Sequence, residues 1–72
     1  MIVEAHDTST GETHFFELNF PAKSGAPYQF VWRDGRRRVL EVRHVSGVPA
    51  DSTLVHANFD VPSHEIIVQT GR

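Results

Sequence analysis

The sequence predicts an all-β domain of three consecutive antiparallel hairpins, forming a small six-stranded barrel, sandwich or meander. Three observations predict it. Apolar residues recur two apart in six segments, turn-forming residues separate those segments in pairs, and in each pair one register places both apolar rows on the same side. At 72 residues the chain is expected to form a single domain over 1–72.

In the first hairpin Val3 and Ala5 share a face, Thr8-Ser9-Thr10-Gly11 supplies turn chemistry, and Phe16, Leu18 and Phe20 follow on one face. A four-residue loop over 8–11 sets Val3 opposite Phe16 and Ala5 opposite His14. Pro21 then ends pairing, and 22–27 reads as a connecting loop.

The second hairpin runs from Tyr28 to Val45 and turns at Asp34-Gly35. Asp-Gly commonly marks a two-residue turn, but that register opposes Trp32 to Arg37 and scatters apolar residues over both faces. A three-residue loop, Arg33-Asp34-Gly35 with Gly35 at positive φ, instead aligns Tyr28, Phe30 and Trp32 with Leu40 and Val42. A slip of one residue turns a whole strand over, so the odd loop is expected. It puts Arg36 and Arg38 on the aromatic face near the hairpin tip, with Arg33 and Arg37 on the other. Val31 and Val39 are also left opposite the aromatic row.

The third hairpin is expected from about Thr53 to Thr70, after the turn-like stretch 46–51. Val55, Ala57, Phe59 and Val61 form one face. A two-residue turn at Pro62-Ser63 opposes Phe59 to Ile66 and Ala57 to Val68. The alternative is an α+β chain in which Pro49 opens a short helix near 49–58. Thr53, Val55 and Asn58 are poor helix formers, and this disfavours it.

Net charge is 7 − 9 = −2, but its distribution is uneven. Residues 1–20 hold four carboxylates and no cation. Residues 21–45 hold Lys23 and five arginines against Asp34 and Glu41, giving +4, and the remainder gives −2. Complementary neighbours within one sheet explain this most simply. Without cysteine there are no disulfides, and so thin a core must rely on packing, self-association or a metal. A homodimer burying roughly 1,200 Å² or more would be physically sensible. The N-terminus lacks the pattern of a signal peptide and no apolar run approaches a membrane span, so the expected location is cytoplasmic, with no membrane partner.

The chemistry-bearing residues point away from catalysis. His6, His14, His44, His56 and His64 are widely spaced and alternate between faces, so neither metal nor other cofactor is expected. The serines sit in turns, none in a nucleophile elbow. Ser63-His64-Glu65 cannot form a relay, because adjacent strand residues face opposite ways. The glycines are isolated, so there is no phosphate loop. The expectation is therefore a small non-enzymatic binding or assembly module acting through sheet surface or edges. Its partner is expected to be another protein or a second copy of itself. The alternative is single-stranded nucleic acid (RNA or DNA), bound through the arginine-rich second hairpin. Trp32, Arg33, Arg36, Arg37 and Arg38 would then make the contacts, bases stacking on the aromatic and cations meeting the backbone.

Overall fold

A computed structural model describes residues 1–69. Thr70, the expected end of the third hairpin, lies outside the described residues. Six strands are present: β1 (Ile2–His6), β2 (Thr13–Leu18), β3 (Pro27–Val31), β4 (Arg37–His44), β5 (Leu54–Asp60) and β6 (Glu65–Val68). Among the described residues there is no helix, and so none long and apolar enough to cross a membrane. The alternative helix near 49–58 is thereby corrected. Leu54 already begins β5, because Val55, Ala57 and Phe59 must stand two apart to reach one interior.

The strands close into a barrel in the order β1-β2-β5-β6-β3-β4, with β4 pairing back onto β1. The three hairpins exist as expected, yet the third is inserted between the first and second. Two of the joins between hairpins are therefore parallel, β2 with β5 and β3 with β6. Closure selects the barrel over the meander and the sandwich, and it leaves none of the six strands with a free edge.

All three hairpin registers follow the apolar pattern. Val3 lies opposite Phe16 and Ala5 opposite His14. Tyr28 lies opposite Leu40 and Phe30 opposite Arg38, as the odd loop requires. Gly35 takes φ 94° there, and the Trp32 N–H donates to the Arg36 carbonyl at 2.9 Å. Phe59 lies opposite Ile66 and Ala57 opposite Val68. The third turn itself is longer than expected. Asp60 and Glu65 are the last pair, so 61–64 form a four-residue turn instead of the two-residue turn at Pro62-Ser63. The Asp60 carboxylate holds it open, accepting from the Ser63 N–H at 3.2 Å and from its hydroxyl at 2.7 Å. Val61, expected on the interior face, is 68% exposed as a result.

The interior is built from the inward rows. Val3, Phe16, Phe30, Leu40, Val42, Ile66 and Val68 are fully buried, with Ala5 and Ala57 keeping the narrow barrel from overfilling. Phe16 and Phe30 stack at 4.8 Å between ring centroids. Every buried side-chain nitrogen and oxygen among the described residues has a hydrogen-bond partner.

The two barrel ends differ. One end carries the third-hairpin turn and the connection 19–26, and aromatic rings fill it. Phe20 packs on Phe59 at 5.2 Å and edge-on to Tyr28 at 5.8 Å. The connection is pinned beneath them. Its Lys23 N–H donates to the Tyr28 hydroxyl at 2.9 Å, its Ala22 carbonyl bonds His44 Nε2 at 2.6 Å, and Ala22 itself is buried. The other end carries the turns of the first two hairpins, the start of β5 and the end of β6.

Candidate functional site: the open end of the barrel

At this second end the inward rows of the first two hairpins run out of aliphatic residues. The row of β1 continues to Asp7 beyond the strand, that of β2 begins at His14, that of β3 continues to Trp32 in the turn, and that of β4 is preceded by Arg36 in the turn and begins at Arg38. These polar and amphipathic groups sort into a sealed half and an open half.

The sealed half is built on Asp7, a buried carboxylate. Its Oδ1 accepts from the Ser9 N–H at 2.9 Å and the Thr10 N–H at 3.3 Å. Its Oδ2 takes the Arg38 Nε–H at 2.8 Å. Its backbone closes the same turn, the N–H donating to the Glu12 carbonyl and the carbonyl accepting from the Gly11 N–H, both at 2.8 Å. The Arg38 guanidinium holds the Asp7 carboxyl below the usual aspartate range, the two turn N–H groups act the same way, and burial opposes them. One side chain thus ties the first turn to β4 and covers that half of the interior.

The open half is a cleft of about 450 Å³ between the ends of β2, β5, β6 and β3. Phe16 and Val68, both buried, form its floor, and Trp32, His14 and Val55 form its walls. Trp32 meets the His14 ring edge-on at 5.4 Å and Phe16 at 6.3 Å. Ser52 and Thr53 bring two hydroxyls to the rim, and the Thr13 hydroxyl beside them is paired with His6 Nδ1 at 3.2 Å. Ser52 and Thr53 arrive there because β4 and β5 run in the same direction, so connection 45–53 must climb the barrel from one end to the other. The volume falls within the roughly 300–1,000 Å³ of ligand pockets.

The five residues singled out in the sequence do not converge. Trp32 lines the cleft. Arg36 stands over its ring at 5.2 Å and is anchored by Asp34, Nε to Oδ2, at 2.9 Å. Arg38 is committed to Asp7. Arg37 lies on the outer wall and donates to Glu65 at 2.9 Å, and Glu65 also accepts from Gln29. Arg33 reaches the Gln69 carbonyl at 3.1 Å. Each of Arg36, Arg37 and Arg38 faces a carboxylate, and Arg43 is paired with Glu4 across β4 and β1. The acidic and basic segments are neighbours within one sheet. The Glu65 carboxyl is held low by the Arg37 guanidinium, and Asp34 by the Arg36 N–H and guanidinium, so these carboxylates stay charged opposite their cations.

Sequence reasoning missed Asp7, His14, Ser52 and Thr53. The signal for Asp7 is present, since the row Val3, Ala5, Asp7 points a carboxylate inward at the head of a Thr-Ser-Thr-Gly turn. Nothing in the sequence announces that a long connection delivers Ser52 and Thr53 to the cleft.

Within the cleft, His14 Nε2 stands 3.5 Å from Glu12. Among the described residues no hydrogen bond joins His14 to the Thr13, Ser52 or Thr53 hydroxyl, and no three His, Asp or Glu side chains gather as a metal-binding group. Comparison with models of known protein families, with characterised proteins and with solved structures finds no match for this chain.

Proposed function

We propose that the chain is a non-enzymatic binding module that engages a protein partner through the open end of its barrel. The carrying observation is the contrast between the ends. Phe20, Tyr28 and Phe59 plug one, whereas the other leaves a concave surface with an aromatic floor and wall that described side chains do not fill. A buried apolar floor with a few hydrogen-bonding groups at its rim is the usual make-up of a binding pocket. Barrel closure takes away the edge-pairing route, so binding falls to surfaces.

Binding is favoured over catalysis because His14, the histidine of the cleft, bonds no hydroxyl among the described residues, and the Thr13 hydroxyl meets its imidazole, His6, on the exposed outer wall beyond the lining. A protein partner is favoured over nucleic acid because four of the five arginines of the second hairpin, Arg36, Arg37, Arg38 and Arg43, face carboxylates within the fold, and phosphate binding needs cations free to release counterions. The cysteine-free composition suits a reducing compartment, so the cytoplasm is the proposed location.

The test compares partners captured by the wild type, by Trp32→Ala with Val55→Ser at the mouth, and by Val39→Ser on the outer wall. A partner lost with the mouth variants and kept by the wall variant supports this reading. The reverse pattern sinks it. Sedimentation at two concentrations decides between a foreign partner and a second copy, since self-association would raise the mass with concentration.

A further inference from the structure

We propose that the cleft accepts a tyrosine side chain presented by a protein partner, with the partner's flanking residues lying along a shelf formed by Phe15 and Leu54. This rests on the mouth being the binding surface and goes further by naming what enters it.

The lining selects the ring. Phe16 and Val68 below, with Trp32 and Val55 at the sides, offer apolar and aromatic surface on which a flat ring can pack. The rim selects a polar end for that ring. Ser52 and Thr53 contribute hydroxyls able to bond a phenolic O–H as donor or acceptor, whereas the Thr13 hydroxyl is already bonded to His6 Nδ1 at 3.2 Å. A phenylalanine ring would cover the Ser52 and Thr53 hydroxyls without bonding them, and a polar group buried without its bond is the main source of discrimination between such side chains.

The surrounding charges disfavour the competing ring, a nucleobase with its phosphate. Of the arginines at this end, Arg36 and Arg38 are occupied by Asp34 at 2.9 Å and Asp7 at 2.8 Å, and Arg33 is turned to the Gln69 carbonyl at 3.1 Å. Among the described residues no lysine or arginine lines the cleft itself.

The shelf argues for a side chain on a polypeptide instead of a free small molecule. Phe15 lines the cleft and is directly paired with Leu54 across the parallel β2–β5 join. Both point outward, Phe15 half-buried and Leu54 exposed, so apolar surface runs from the cleft over its lip onto the outer wall. A free amino acid or metabolite held in the cleft would leave that strip uncovered, whereas residues before and after a bound tyrosine would reach it.

The experiment is an amide-resolved NMR titration of the full chain with N-acetyl-tyrosinamide, N-acetyl-phenylalaninamide, adenosine monophosphate and the capped tripeptide Val-Tyr-Val. The expected result is shifts confined to residues 13–16, 32, 52–55 and 68. The tyrosine amide should bind at least threefold tighter than the phenylalanine amide, and the tripeptide tighter again. Ser52→Ala and Thr53→Val lie outside the strands, keep the fold, and should erase the tyrosine preference. Leu54→Ser should erase the gain of the tripeptide alone. Equal or tighter binding of the phenylalanine amide at these amides overturns the tyrosine assignment while leaving the mouth as the binding surface, and preferential binding of the nucleotide does the same in favour of a base. No shift at the mouth with any probe overturns both.

Discussion

Neighbouring residues on β4 provide the strictest test of the barrel, because Leu40 and Val39 differ by one position and face opposite ways. Leu40 is fully buried opposite Tyr28, whereas Val39 is 55% exposed opposite Gln29. Truncating Leu40 to alanine removes its transfer free energy and leaves a cavity in a barrel too narrow to collapse, a cost of about 2–5 kcal/mol. Truncating Val39 removes two carbons that are already half in water, and the cost should not exceed about 1 kcal/mol, including the lost preference of a β-branched residue for strand. For a domain of this size each kcal/mol shifts Tm by roughly 4–8 °C. Leu40→Ala should therefore lower it by about 8 °C at the least, and Val39→Ala by about 8 °C at the most. Total stability is expected at roughly 4–11 kcal/mol for 72 residues, so Val39→Ala should stay folded, whereas Leu40→Ala consumes a large share of the total and is best read at low temperature. Paired thermal and urea denaturation followed by circular dichroism reads both. If Val39→Ala costs as much as Leu40→Ala, the second hairpin turns by the two-residue Asp-Gly route, and the inward row of β4 is wrong.

Gly35→Ala should destabilise by about 1–2 kcal/mol, since φ 94° suits only glycine and nothing stands within 4 Å of an added Cβ to compensate. Asp7 makes the wild type sensitive to acid. Its native carboxyl binds a proton less readily than the unfolded one, so its contribution is whole above about pH 4 and fades as pH falls through the lowered native value. Asp7→Asn should be less stable than wild type at pH 7 and should lose less on acidification, as thermal melts between pH 7 and pH 2.5 would reveal. A double-mutant cycle on half-buried Glu4 and exposed Arg43, paired on the outer wall, should give a coupling of at most about 1 kcal/mol that shrinks in 0.5 M salt.

Local pairing is legible in this sequence because each hairpin has a single register that puts its apolar row inside. Phe30 and Trp32 decide the odd loop at Gly35, and Val3 and Phe16 decide the first turn. The third register is equally legible, whereas its turn is not. Pro62-Ser63 resembles a two-residue reversal, but the Asp60 carboxylate binds Ser63 and stretches the loop to four. The ring order is not legible at all. Parallel joins such as Leu18 beside Ala57 bring together residues far apart in the chain, and alternation marks which face a residue takes without marking which strand lies alongside. The candidate site inherits this gap. Trp32 and the arginines stand out as residue types, but which arginines are neutralised depends on β1 lying beside β4, and the cleft depends on where 45–53 ends.

The insertion of the third hairpin between the other two makes it a separable keystone. It is flanked on both sides by strands of the first and second hairpins, and the connection at residues 45–53 is what joins it to them along the chain. Cleaving that connection near Gly47 would turn the last step of ring closure into a bimolecular docking. A fragment ending there and a synthetic peptide covering the third hairpin should then reconstitute the ring on mixing, with the peptide carrying Val55 and Val68, two of the groups that shape the mouth. Labels placed on such a peptide would enter the molecule at its interior, without a genetic fusion.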